Sequence, residues 1–325
     1  MSRPGRGDPA QRDRRVRTIR ATSGAALHGQ IVAAYGRRYL VETAHEQAAG
    51  GPGALLSCMA LGRQSQYACG DRVTVLSSGP GEGVIESAET RSTLFFRSAA
   101  HRSKLIAANA TQVAVVVASE PSFSDELVAR VLAAAECAGM RSLIVLNKAD
   151  LAELTTQALE RLRGFERAGY PPIVVSALQD GGAMAEALRA RLQGETTVLV
   201  GQSGMGKSTL INALVPEANA ATREISTFLA SGKHTTTFAR LYRLDAQSAI
   251  IDCPGMQEFG LAHLDWRELA AGFREIGPLS VNCRFPDCHH QGEPACAVAA
   301  AAEADRIDQR RLALYRRIAQ AEFGN

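Results

Sequence analysis

Lysine is nearly missing from this chain: of 36 basic residues in 325, only Lys104, Lys148, Lys207 and Lys233 are lysines. A chain that defaults to arginine keeps lysine where a compact ammonium is needed, or by chance. Long apolar runs are missing too. None approaches the ~18–20 residues that span a bilayer, and the arginine-rich N-terminus has no apolar stretch of a secretory signal. Both absences argue against a membrane or exported protein and predict a cytoplasmic one. Seven cysteines are too few and too scattered for a disulfide scaffold at this length. Cys58, Cys69, Cys137 and Cys253 read as small buried residues, whereas Cys283, Cys288 and Cys296 crowd into the last segment.

What is present fits two or three globular domains, with 46% hydrophobic residues to build cores. The net charge of +3 is modest, but residues 1–20 hold seven arginines against Asp8 and Asp13. Residues 1–22 are therefore expected to be a disordered basic arm, either a solvated tail or a contact for RNA phosphates. From 23 to 98, short apolar stretches separated by glycine- and proline-rich turns predict a small closed β-barrel; an OB-fold fits best, with an SH3-like barrel as the alternative. From 99 to 270 strands alternate with helices, the pattern of a parallel, doubly wound α/β sheet. Residues 271–325 are poor in strands, rich in Cys and His, and end in a basic helix expected near 303–321.

Two of the four lysines fall inside recognisable motifs. Gly201-Gln202-Ser203-Gly204-Met205-Gly206-Lys207-Ser208, followed by Thr209, fits G-x-x-x-x-G-K-[ST] after the strand "TVLV". The glycines let backbone N–H groups cradle phosphates, Lys207 neutralises β/γ charge, and the Ser208 hydroxyl reaches Mg²⁺. Asn147-Lys148-Ala149-Asp150 follows the apolar strand "SLIVL". An Asp carboxylate can accept from guanine N1–H and the 2-amino group, which adenine does not offer. Ser176-Ala177, at the end of the next strand, places a backbone N–H for guanine O6. Asp252-Cys253-Pro254-Gly255 matches D-x-x-G, with Asp252 in the Mg²⁺ shell and the Gly255 N–H sensing the γ-phosphate. Between these lies "SGKHTTT", where Thr235 or Thr236 is favoured to supply the switch hydroxyl to Mg²⁺. The residue after D-x-x-G is Met256, which cannot orient a water. His234 is the candidate for that role, and unaided hydrolysis is expected to be slow. A P-loop kinase is disfavoured by Asn147 and Asp150; a non-catalytic GTP/GDP-dependent RNA-binding switch stays open as the alternative.

Cys283-x₄-Cys288-x-His290-x₅-Cys296 supplies three thiolates and an imidazole, a donor set suited to tetrahedral structural Zn²⁺. His289 is the rival ligand, although its adjacency to Cys288 would strain a shared chelate.

The base reader here precedes the phosphate loop, the reverse of the usual GTPase order. In that order, and in "KLIAAN", "NKAD", "GQSGMGKST", "HTTT", "DCPGMQEFGL" and the Cys/His tail, residues 24–325 resemble the circularly permuted GTPases of the RsgA (YjeQ) family. Departures are small: lysine at 233 where arginine is frequent, and alanine at 295 where glycine is usual. The resemblance implies an OB-fold, a permuted GTPase domain and a zinc-binding domain with a C-terminal helix. It also implies His290 as the ligand, binding of GTP/GDP and of the small ribosomal subunit and its rRNA, and hydrolysis (EC 3.6.1.-) stimulated there during late subunit maturation. A monomer is expected.

Overall fold

The computed structural model describes residues 26–43, 53–61, 67–99, 102–179, 183–215, 218 and 238–324. The arginine-rich arm and the stretch holding Lys233, His234, Thr235 and Thr236 lie outside the described residues.

Five strands form the first unit: β1 (Leu27–Tyr35), β2 (Arg38–Thr43), β3 (Leu55–Ala60), β4 (Arg72–Gly79) and β5 (Glu82–Ala88). They run in the order β1-β2-β3-β5-β4, with β4 closing onto β1 and β3 parallel to β5. This is an OB-like barrel, filled by Ile31, Tyr39, Val41, Leu56, Cys58, Tyr67, Val73, Val75 and Ile85. The sequence stretch 29–43 reads as one segment but folds as two strands. Gly36, at φ +67°, closes the tight turn between them, a backbone state glycine enters without a Cβ clash. The stretch "STLFFR", counted with the barrel strands from sequence, leaves the barrel instead. It becomes β6 (Leu94–Ala99), paired with β7 (Arg102–Ala108) in a separate hairpin that straddles the expected 98/99 boundary.

The second unit is built on β8 (Gln112–Ala118), β9 (Arg141–Asn147), β10 (Pro172–Val174), β11 (Thr196–Val200), β12 (Ala239–Arg243) and β13 (Ala249–Asp252). Every residue of β8 is buried, as a central parallel strand covered on both faces requires. The order is β10-β9-β8-β11-β13-β12, parallel except for β12, which runs antiparallel to β13. Helices α1 (Asp125–Cys137), α2 (Ala152–Arg167), α3 (Ala183–Leu192) and α4 (Lys207–Leu214) connect the strands. Ser124 caps α1, accepting from the Leu127 N–H at 3.2 Å.

Barrel and α/β sheet are not separate sheets. β1 pairs with β12 through Ala33↔Arg240 and Ala34↔Ala239, joining eleven strands. Val32, Leu40 and Cys69 of the barrel share one buried cluster with Val113, Leu146 and Ile251 of the α/β sheet.

The C-terminal unit contains α5 (Trp266–Ala271), α6 (Gly277–Ser280), α7 (Ala297–Glu303) and α8 (Gln309–Phe323). The single basic helix expected near 303–321 begins later. Asp305 sits at φ +54°, and Asp308 caps α8 by accepting from Arg310 N–H at 2.8 Å. α8 packs on α1, α2, α5 and α7, so the chain end returns to the α/β unit. Among the described residues no helix is long and apolar enough to cross a membrane.

Candidate functional site

Parallel strands deliver their loops to one edge of the sheet, so the ends of β8, β9 and β11 lie together. Ala118 is the register partner of Asn147, and Leu199 that of Asp252. The motifs that the sequence separates by about fifty residues therefore become neighbours.

Asn147 is the joint between them, with only 2% of its surface exposed. Its Nδ2 donates to the Met205 carbonyl of the phosphate loop at 3.0 Å, and its Oδ1 accepts from the Ala177 N–H at 3.2 Å. One side chain thus ties base-reader, phosphate and Ser-Ala loops. Asp150 accepts from Ser176 Oγ–H at 2.6 Å, which orients its carboxylate. Lys148, at φ +64°, lays its chain along the neighbouring loop and donates from Nζ to Glu120 O at 2.7 Å. The Ala149 N–H is held by Val175 O at 3.0 Å.

The phosphate loop keeps its glycines for reasons of space as well as conformation. A Cβ on Gly206, at φ +83°, would strike Asn147 Nδ2, and one on Gly201 would strike Val116 O. Ser203, Gly204 and Ser208 are exposed, so the cradle is open. Lys207 is buried, donating to Gly201 O at 2.8 Å and Gln202 O at 2.9 Å. Burial pulls its ammonium below the usual lysine value, opposed by the Asp252 carboxylate. Burial likewise pushes Asp252 up to about 6, against the pull of Lys207 and Arg240. Nearby anion and cation would each be welcome here, because each would favour the ionised form of one of these groups.

D-x-x-G docks onto the same loop. Met256 N–H donates to Gly201 O at 3.1 Å, and a Cβ on Gly255 would lie 3.0 Å from Ser203 N. Thr209 sits half-buried in the first turn of α4. His234, Thr235 and Thr236 lie outside the described residues.

Sequence reasoning missed the loop 119–124. Gln202 Oε1 accepts from Ser124 N–H at 2.7 Å, while Gln202 Nε2 donates to Gln257 Oε1 at 3.2 Å. Pro121 stands 3.2 Å from a notional Cβ on Gly204. The available signal was position: this loop follows β8, the strand beside the phosphate-loop strand.

The second site is the Cys/His cluster. Cys283, Cys288, His290 and Cys296 bring one ligand atom each to within 4.8 Å of one another. His290 Nδ1 lies 3.6, 3.5 and 3.4 Å from the sulfurs of Cys283, Cys288 and Cys296. These are edges of about the size a tetrahedron with ~2.0–2.3 Å bonds requires. The other ring nitrogen, Nε2, is 2.9 Å from Ser280 Oγ, which leaves Nδ1 for a metal. His289 points elsewhere, its ring stacked on Trp266 at 4.0 Å and 9°. Burial, with Cys296 and Cys283 close by, raises the Cys288 thiol to about 12, so three thiolates would need a cation among them.

Residues 88–262, more than half the chain, match the sequence model of the RsgA GTPase family. The small ribosomal subunit biogenesis GTPase RsgA of Nitrosospira multiformis is 48% identical over 90% of this chain and 90% of its own. That of Paraburkholderia phytofirmans is 47% identical over 91% and 93%. In fold, the crystal structure of YjeQ from Thermotoga maritima aligns with TM-score 0.69 at 27% identity, covering 93% of this chain and 100% of that one. YloQ, a circularly permuted GTPase, aligns at 0.65 with 23% identity over 92% and 96%.

Proposed function

The chain belongs to the RsgA GTPase family, and from that premise we propose that it hydrolyses GTP to GDP and phosphate on the small ribosomal subunit, late in that subunit's maturation. The observation that best supports the reading is the Asn147 side chain, which bridges the phosphate loop and the Ser176–Ala177 loop. Binding of guanine is thereby coupled to the shape of the phosphate cradle.

In this reading Asp150 accepts from guanine N1–H and the 2-amino group, the Lys148 stem covers the ring, and the Ala177 N–H meets O6. Backbone N–H groups from Gln202 to Thr209 hold the phosphates. Lys207 gives up its carbonyl partners for the β/γ oxygens. Ser208, Asp252 and a switch threonine, Thr235 or Thr236, would hold Mg²⁺, which when bound neutralises charge on the triphosphate. The Gly255 N–H reports the γ-phosphate to the segment that follows. Met256 is 8% exposed and apolar, so a residue other than the one after D-x-x-G must orient the water; His234 is assigned that role. Cys283, Cys288, His290 and Cys296 would hold one structural Zn²⁺.

The working units are an arm (1–22), a barrel from residue 23 whose strands end at Ala88, a permuted GTPase domain to residue 270 reached through the β6–β7 hairpin, and a zinc domain (271–325). The barrel and zinc domain flank the GTPase and face rRNA, and the protein acts as a cytoplasmic monomer. Phosphate release from GTP, titrated with purified small and large subunits, tests the proposal. Stimulation by small subunits alone is expected. In the same assay His234→Ala should keep GTP affinity and lose roughly 10²-fold of the stimulated turnover. Equal stimulation by both subunits, or none, would overturn the assignment; unchanged turnover in His234→Ala would remove that residue from its role.

A further inference from the structure

Downstream of D-x-x-G the backbone is gripped from two sides. On one side β6 holds it: Ser98 N–H donates to Gly260 O at 3.0 Å, and Arg97 to Glu258 O at 2.6 Å. On the other side stands a largely buried ion pair from two distant helices. Glu322, one residue before the end of α8, accepts from the Leu261 N–H at 3.1 Å. The same carboxylate oxygen takes the guanidinium of Arg130 from α1. Arg130 donates in addition to Phe259 O at 3.4 Å and to Glu126 Oε1 at 2.9 Å. The two side chains are only 10% and 11% exposed.

Such a pair is a costly way to fasten a helix, since desolvation consumes much of the attraction and apolar residues would pack as well. What it does that apolar packing cannot is fix a backbone amide at a defined place. The amide it fixes lies six residues from Gly255, and the chain between starts at Met256, whose N–H is bonded to Gly201 O of the phosphate loop. A continuous path of short contacts thus runs from phosphate loop to last helix.

We infer that Glu322, with Arg130, is a positioning residue for the GTPase reaction. It ties the last helix to residues 258–262, so that nucleotide state at Gly255 and docking of the C-terminal unit bias each other. Coupling of this kind is reciprocal: a partner that shifts α8 moves the D-x-x-G segment, and GTP in place of GDP moves α8. The inference rests on the nucleotide-site reading above.

The molecule carries its own reporter. Its single tryptophan, Trp266, stacks on His289 and lies 4.8 Å from the ring of Phe323, the neighbour of Glu322. Trp266 emission of the full-length zinc-loaded chain is compared with GDP and with a non-hydrolysable GTP analogue, alongside the affinity for each nucleotide. Wild type should show distinct emission in the two states. Glu322→Gln and Arg130→Lys should lose most of that difference while binding both nucleotides within about 2-fold of wild type. They should also lose roughly 5-fold or more of kcat stimulated by small subunits at unchanged KM. Phe323→Ala removes packing from the same helix end, leaves the carboxylate, and should keep the stimulated kcat. If both clasp variants keep the full emission difference and the stimulated kcat, the inference is wrong. It is equally wrong if wild type binds both nucleotides with identical emission. Failure of wild type to bind either nucleotide would overturn the nucleotide-site reading, and this inference with it.

Discussion

Asp150, the proposed base reader, shows how little of such a residue's behaviour its own chemistry decides. Its carboxylate already accepts from Ser176 Oγ–H at 2.6 Å, so it is aimed before any base arrives. Asp150→Asn keeps the shape but replaces an acceptor with an amide that can donate. GTP binding should weaken by roughly 1.5–3 kcal/mol, the loss of a charge-assisted contact. Xanthosine triphosphate, whose 2-carbonyl accepts where guanine donates, should bind better than it does to wild type. Calorimetry with both nucleotides checks this, and wild-type GTP affinity in the variant would exclude Asp150 as base reader. Gly206 makes the complementary point. Its positive φ was foreseeable from the loop motif, but that any Cβ would strike Asn147 Nδ2 depends on a residue 59 positions away.

The segment from 281 to 296 is an element with no core of its own. Only His290 and Cys296 are buried in it, and Val281 and Phe285 are 83% and 39% exposed. A stretch that buries so little apolar surface needs a cross-link to hold one shape. Chelation of the metal, or Cys288→Ala, should therefore disorder this segment and shift Trp266 emission, because the His289 ring stacked on it is adjacent to Cys288. Nucleotide affinity should persist, since the nucleotide loops sit on β8, β9 and β11. Elemental analysis, emission and nucleotide titration of the same sample check the claim. Stoichiometric zinc in Cys288→Ala would refute the ligand set. The hairpin β6–β7 is the contrasting case, an element held by strand pairing and by the 258–262 segment it grips.

Across the whole molecule, the barrel is a structural part of the GTPase sheet rather than a module hung from it. β12 lies between β13 and β1, and the Tyr35 ring of the barrel meets Phe238, just before β12, at 4.1 Å. Deleting residues 1–90 would turn β12 into an exposed edge and uncover apolar surface now shared with Val32, Leu40 and Cys69. The truncated chain should aggregate on size-exclusion chromatography and melt several degrees lower. A monodisperse truncation with wild-type melting would show that the two units fold independently. The same continuity joins the barrel through β12 to β13, the strand that leads into Asp252 of D-x-x-G.

Sequence alone marked the candidate site residues and most of the elements here. The G-x-x-x-x-G-K-[ST], N-K-x-D, D-x-x-G and Cys/His patterns are local signatures, because each is a short run whose residue types suit one kind of partner. Buried strands such as β8 and the long helices α1 and α2 were legible for the same reason, their apolar spacing being set within a few residues. Tertiary structure decided what depends on distant neighbours. It split 29–43 into two strands and moved "STLFFR" out of the barrel, since alternation marks a strand but not its partner. It ran β12 antiparallel and joined it to β1, a pairing between segments some 200 residues apart. It set His289 on Trp266 and His290 among the thiols, with the backbone at φ +61° at His290. It also brought Glu322 to Leu261, because a largely buried carboxylate finds its partners through the packing of α8 on α1, which no local pattern encodes.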